Sequence, residues 1–292
     1  MKKNASARVM DRVVTALLYG IAGFFALLLA SITVYILYKG VRGATPELLS
    51  FSNKGIGKQL FNTVYLVFLS LLVTVPIGMF TGVYMAEYAG NGPFVAVMRT
   101  CIETLSSLPS IIVGLFGFLV LIQMTHSRPN LLAGSLALAI INIPLIARTT
   151  EDAMRQVPRS YYDGSVALGA TRWQTVMRVL LKTSMPRVIT GVILAAGRGF
   201  GEAAVLFLTS GMGSDVNFNN WNPASLSSPL NPFRSADTLA VYIWSLKTQG
   251  IEANSQQIAD LSAAVLILLV FGFSLGARAL GRRLQRKMAS EK

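Results

Sequence analysis

Apolar residues in this sequence come in six blocks, at about 13–38, 63–84, 107–124, 131–147, 188–210 and 259–280. About 20 apolar residues in a helix cross roughly 30 Å of hydrocarbon. Backbone groups in that medium must be satisfied within the segment, so the blocks are expected to be helices. Pro76, Pro109 and Pro144 interrupt or open three of them, which membrane helices tolerate where neighbours satisfy the freed carbonyls. The expected fold is all-α: a polytopic membrane protein with about six transmembrane helices. Composition agrees, with 53% hydrophobic and 13% charged residues against about 25% charged in soluble domains.

A net charge of +13 points to nucleic acid in a soluble protein, so the placement of the basic residues must decide. They flank the apolar blocks, and no zinc-finger spacing, RNA-binding sheet motif or aromatic-interleaved basic stripe is present. No nucleic-acid partner is expected. An even number of spans puts both ends on one side, and the positive-inside rule selects the side. Lys2, Lys3, Arg8, Arg12, Arg99, the series Arg148, Arg155, Arg159, Arg172, Arg178, Lys182 and Arg187, and the tail residues Arg278, Arg282, Arg283, Arg286, Lys287 and Lys292 fall inside. Lys39, Arg42, Lys54, Lys58, Arg128, Arg234 and Lys247 fall outside. The domains expected are a cytoplasmic tail over 1–12, a transmembrane domain over 13–280 and a basic cytoplasmic tail over 281–292. The first block exceeds the about 7–15 residues of a signal-peptide core and is read as a retained span.

The one cysteine, Cys101, has no internal disulfide partner and is expected as a buried small apolar side chain. The one histidine, His126, is expected in a loop outside any Cys/His/carboxylate cluster, so neither a metal site nor a cofactor is expected.

Two long connections have different characters. The outer one, 211–257, is rich in Asn and Pro, a turn-forming composition, with a more apolar stretch at 238–246. It fits a partner-docking surface and equally a solvated connector carrying a surface or re-entrant helix. The inner one, 149–186, mixes charge with apolar residues at helical spacing and is expected to fold into short helices. No G-x-x-x-x-G-K-[ST] loop occurs, so any ATP that drives this protein must be hydrolysed by another chain.

The inner connection resembles the cytoplasmic signature of ABC importer permeases: Asp163-Gly164-Ser165 in the first triplet, Gly169 at the glycine, then Val179, Leu181 and Pro186, with Lys182 where a proline is usual. The flanks resemble the phosphate permease subunit of the PstA type. They are Met85-Ala-Glu-Tyr88, Ser107-Leu-Pro-Ser110 with Ile-Ile-Val-Gly-Leu-Phe-Gly117, Arg148-Thr-Thr-Glu151, Ala167-Leu-Gly-Ala170 with Trp173, and Thr190-Gly191 through Arg198-Gly-Phe-Gly-Glu202. This resemblance implies a type I permease core, a second homologous permease subunit, two copies of an ATP-binding cassette subunit and an extracytoplasmic phosphate-binding protein. It also implies that inorganic phosphate is translocated without chemistry by this chain, and that 163–169 docks on the ATPase.

Arg198 falls about eleven residues into the fifth block, near mid-membrane at 1.5 Å per residue. Estimates for a central arginine start at about 2.5–3.5 kcal/mol, so such a residue normally faces a polar path. Its planar fork suits two phosphate oxygens. Glu202, four positions on, is expected on the same helical face, either as a structural ion pair or as a resting partner that phosphate displaces. Gly191, Ala195, Gly199 and Ala203 place small residues every four positions, permitting close helix approach. Arg148 is expected at the cytoplasmic end of the fourth span, as an exit-side contact or a headgroup anchor. Asp163 is expected to favour a helix start and Gly169 to end that helix. Sulfate or molybdate import, a secondary transporter and a membrane enzyme are the competing readings. No inverted repeat supports the second, and no nucleophile–base pair or acid pair within the blocks supports the third.

Overall fold

The computed structural model describes residues 2–51, 55–90, 92–213, 216–250 and 254–290, with side chains placed from 7 to 283. Residue 1, residues 52–54 with Lys54, residue 91, parts of the outer connection (214–215 and 251–253) and the final residues 291–292 of the basic tail with Lys292 lie outside the described residues.

The described residues form helices joined by turns: α1 (Lys2–Arg42), α2 (Gly57–Val83), α3 (Pro93–Ser107), α4 (Ser110–Gly117), α5 (Leu131–Arg155), α6 (Arg159–Ala167), α7 (Arg172–Gln174), α8 (Leu181–Gly201), α9 (Ala204–Thr209), α10 (Leu239–Gln249) and α11 (Ser255–Ser290). Wider π turns extend three of them, Tyr84–Tyr88 after α2, Phe118–Gln123 after α4 and Thr175–Leu180 between α7 and α8. Among the described residues five helices are long and apolar enough to span a bilayer, and α3 with the run from α4 reaches that measure only as a pair, bent by 102°.

The bend corrects the third expected span. Pro109 lacks an N–H and disfavours a helical residue before it, so Leu108 and Pro109 are extended, with ψ of 133° and 136°. The block at 107–124 is therefore only the second arm of the pair. Its first arm, α3, escaped the sequence reading because it is amphipathic and carries Arg99 and Glu103.

The core is built on α5. Of its most apolar stretch 67% is buried, whereas none of that of α1 is. Helix α2 lies against α5 through glycines: a Cβ on Gly82 would stand 2.5 Å from the Ala147 carbonyl, and one on Gly78 2.7 Å from Ile146 Cβ. Gly191 of α8 meets Thr149, and Gly199 meets Leu138 and Val67, so the expected small-residue seam on α8 does bring neighbours close. Around it Leu66, Val67, Leu131, Leu138, Ala196, Phe200 and Leu206 form the main apolar cluster.

Contacts order the ends of the spans. Gln257 at the start of α11 donates to the Gly43 carbonyl just beyond α1 at 2.7 Å, so the two helices run antiparallel and the chain termini share a face. Gly281 of α11 meets Ile189 of α8, and Arg172 donates to the Glu87 carbonyl at the end of α2. The short helix α6 thus lies on the terminal face. The opposite face carries the connection after α9, where α10 occupies the apolar stretch expected at 238–246.

Candidate functional site

The fifth apolar block is two helices, not one. The run from Arg172 extends to Gly201 and stops where glycines stand at 197, 199 and 201, each roughly 1 kcal/mol poorer than alanine in a helix. Glu202 is extended (φ −73°, ψ 122°), and α9 starts two residues later. Arg198 therefore sits in the last turn of α8, exposed on the surface of this chain. Glu202 is off its helical face, and its Oε1 accepts from Val205 N–H at 3.5 Å in the first turn of α9. Among the described residues no ion pair joins Arg198 to Glu202. The expectation of a shared face is corrected by the break between them.

The depth of the break follows from the packing. Gly199 touches Leu138, seven residues into α5, which is about 10 Å below the opposite face at 1.5 Å per residue. Helix α4 runs beside α9, with Gly114 against Val205 and Ala204, and Gly117 against Thr209. One turn back along both helices, the start of α4 at Ser110 comes level with the break at Gly201–Ala203. Two interruptions of regular helix, at Leu108–Pro109 and at Glu202–Ala203, thus share one depth within the bundle, with Arg198 beside them. Irregular backbone at such depth is tolerated where it lines a cavity or is buried in protein.

Arg148 lies about 15 Å further along α5 from Leu138. It is exposed and lines a cleft of about 190 Å³ with Met85, Arg99, Glu103, Glu151, Asp152 and Arg155. Glu151 is buried there. Its Oε1 accepts from Arg99 of α3 at 2.7 Å and from Arg155 at 2.9 Å, and Arg155 also donates to the Met85 carbonyl at 3.1 Å. One carboxylate thereby ties α3, α5 and the end of α2. Sequence reading noted these arginines only as topology signals. The spacing Glu151–Arg155 was a legible i,i+4 pair, whereas Arg99 reaches it from 52 positions away.

The inner connection folds as a short helix and two caps. Helix α6 starts after Pro158, so Asp163 lies mid-helix and does not mark its start. Gly169 has φ +85°, the left-handed conformation glycine adopts freely. Its N–H reaches the Val166 carbonyl at 2.9 Å, and Ala170 N–H reaches the Ser165 carbonyl at 3.2 Å, which is the Schellman ending. A capping box between Thr171 and Gln174 starts the next helix, a Thr-x-x-Gln signature present in the sequence. Ser165 hydroxyl bonds that of Thr175 at 2.9 Å. Asp163, Gly164, Gly169 and the side chains of Val166, Leu168 and Trp173 remain exposed, with Leu168 at 91%.

Two expectations about single residues fare differently. His126 lies in a turn with φ +52°, and Cys101 is exposed on α3 rather than buried, because the described residues leave its face of α3, with Val97, Thr100 and Thr104, exposed.

A buried polar group on the opposite face was not anticipated. Arg234 donates to Asn62 Oδ1 at 2.6 Å and to the Pro229 carbonyl at 3.1 Å. Asp237 Oδ2 accepts from Gln59 Nε2 at 3.2 Å, and the Asp237 carbonyl accepts from Asn62 Nδ2 at 3.1 Å. Burial pushes the Asp237 carboxyl above its ordinary range, against the bond from Gln59 and the attraction of Arg234. Burial also lowers the Arg234 guanidinium to about 10. These bonds fasten the Asn/Pro-rich connection to the start of α2.

Five continuous spans, a bent pair, a short exposed helix on the terminal face and broken helices inside the bundle define the permease subunit of a type I ABC importer. Solved structures with this fold include a permease chain of a bacterial alginate ABC transporter (TM-score 0.69, 16% identity, 94% of this chain and 95% of that one) and of the MetNI methionine ABC transporter (TM-score 0.60, 19% identity, 78% and 95%). Residues 75–290 match the family described as binding-protein-dependent transport system inner membrane component, and the chain belongs to that family. Relatives include the probable ABC transporter permease protein YqgI of Bacillus subtilis, 42% identical over 97% of this chain and 99% of its own length. A probable phosphate transport system permease protein PstA of Methanocaldococcus jannaschii is 30% identical over 92% of each chain. PstA of Mycobacterium leprae is 31% identical over 80% of this chain and 72% of its own. The protein is a multi-pass inner-membrane permease that works with ATPase subunits and a substrate-binding protein.

Proposed function

We propose that this permease translocates inorganic phosphate, delivered by an external phosphate-binding protein, through a path that it forms with a second homologous permease subunit. Two copies of an ATP-binding cassette subunit supply the energy. The observation that carries the reading is an exposed guanidinium, Arg198, at the depth where two spans are interrupted. The names of the relatives at about 30% identity support phosphate as the anion. An anion crossing a low-dielectric path needs a compensating charge, and a planar donor fork matches two phosphate oxygens. Glu202, in the break one residue beyond α8, tempers that charge so that binding stays weak enough for release. Arg148, in a cleft with Arg99 and Arg155, receives the anion at the terminal face. That face is cytoplasmic in this proposal, with tails over 1–12 and 281–292 and the inner connection 149–186 inside, and the outer connection 211–257 outside. Helix α6, with Asp163, Gly164, Ser165 and Gly169, docks on the ATPase.

Uptake of radiolabelled phosphate by the reconstituted importer tests the path. Arg198→Ala is expected to lower uptake by at least tenfold with the complex still assembled, and Arg198→Lys to recover little, because the fork is lost. Normal uptake by assembled Arg198→Ala importer, or equal uptake of sulfate by the native importer, overturns the assignment.

A further inference from the structure

A cleft of about 460 Å³ opens between the end of α1 and the start of α11 on the face opposite the termini, lined by Tyr35, Tyr38, Lys39, Arg42, Gln257 and Asp260 among others. None of its lining residues belongs to α8 or to the cleft around Arg148. We propose that this cleft holds the phosphate group of an anionic membrane phospholipid.

The α1 side of the cleft is a single helical stripe: Tyr35, Tyr38, Lys39 and Arg42 are spaced i, i+3, i+4, i+7 and so share a face. Lys39 Nζ lies 5.2 Å from the Tyr35 ring centroid, which holds the ammonium beside the ring. The carboxylate in the cleft is already engaged. Asp260 accepts from Lys247 Nζ at 3.2 Å and from Gln256 Nε2 at 3.0 Å. The Gln257 amide is committed to the Gly43 carbonyl at 2.7 Å. Arg42 has no carboxylate partner among the described residues. With Asp260 neutralised by Lys247, the positive charges of Lys39 and Arg42 are left among the described residues of the cleft.

Depth identifies the source of the anion. Arg42 closes the apolar span Ala7–Arg42, so Lys39 and Arg42 lie at the level of headgroups, with the tyrosines one turn deeper, where aromatic residues concentrate at membrane interfaces. Below them none of the most apolar stretch of the same helix is buried in this chain, and Tyr38, Tyr35, Val34 and Leu27 are exposed. A diester whose acyl chains descend along α1 satisfies both the charges and the apolar flank. A free phosphate satisfies only the charges. A cavity of this size falls in the range of about 300–1,000 Å³ that takes small ligands.

The test uses the complete importer in mild detergent, with lipid binding followed by native mass spectrometry. Phosphatidylglycerol is titrated against a neutral glycolipid with the same acyl chains. Native importer is expected to retain phosphatidylglycerol selectively. Lys39→Gln with Arg42→Gln is expected to raise the half-saturating concentration at least tenfold, since each basic residue at an anionic surface contributes about a factor of five. Lys39→Arg should keep the native value. Both side chains are exposed, and comparable assembly of the variants is read from the same spectra. Equal retention of the two lipids, or equal retention by native and variant importers, overturns the proposal. Displacement of phosphatidylglycerol by millimolar inorganic phosphate also overturns it, assigning the cleft to free phosphate.

Discussion

Asp237 shows what burial does to one carboxylate. Its pKa is raised above the usual 3.8, first by desolvation, so the folded chain holds this proton more tightly than the unfolded chain does. Over the window from about 3.8 up to the raised value, the folded state binds more protons, and stability falls as pH rises. Above the window the loss is complete and the curve levels. Asp237→Asn removes the contribution while leaving an amide that Gln59 and Arg234 can face. Thermal unfolding of both proteins from pH 3.5 upward is expected to give a difference, native minus variant, that declines with pH; a difference that rises or stays flat removes the role of burial. The same site marks a boundary of sequence reading. Arg198 stood out because a charge inside an apolar block is costly. Arg234 did not, since its surroundings are Asn, Pro and Ser and read as solvated, while its partner Asn62 is 172 positions away.

At the scale of elements, the long spans and the short inner helices were legible because block length and spacing report them directly. The interruptions were partly so. Pro109 and the glycines at 197, 199 and 201 were visible signals, but they do not say whether neighbours will satisfy a kinked helix or let it part. Helix α3 was missed because an amphipathic membrane helix has no uncharged block. The ending of α6 at Gly169 was read from a single residue, and there the effect of a substitution can be isolated. No described atom of this chain lies within 4 Å of a Cβ built on Gly169, so within this chain Gly169→Val acts through its positive φ, at a cost of about 1–2 kcal/mol, and in the proposed complex it also stands where α6 meets the ATPase. Expected are normal insertion and assembly, with phosphate transported per ATP hydrolysed falling several-fold in vesicles. An unchanged ratio removes the ending of α6 from coupling.

At the scale of the whole molecule, α1 and α11 run antiparallel and bring both tails to the face that carries α6 and α8. The arginines of the inner connection lie with them, which is the asymmetry the positive-inside rule reads. Single cysteines at positions 10, 220 and 282 test the sidedness in a Cys101→Ser background, needed because Cys101 is itself exposed. An impermeant maleimide applied to intact cells is expected to label 220 alone, and labelling of 10 or 282 without 220 inverts the topology. What sequence could not convey at this scale is which surfaces are final. Helix α1 is apolar on all sides and none of its most apolar stretch is buried in this chain, a difference from α5 that block length does not report.

The π turn at Thr175–Leu180 has a consequence for insertions and deletions. A π turn is an α-helix that has absorbed one surplus residue without disturbing the helix on either side. Removing Met177 from that turn therefore takes up slack, and Arg198 keeps its angular position relative to α5. Removing Ala196 instead, in regular α8, turns Arg198 by about 100° around the helix axis and swings it off its present face. The two deletions differ by no charge and barely by mass, yet the first is expected to retain most phosphate uptake and the second to lose it. If both abolish uptake in assembled importers, the extra residue is itself part of the machine, and the helix has no such margin in its phase.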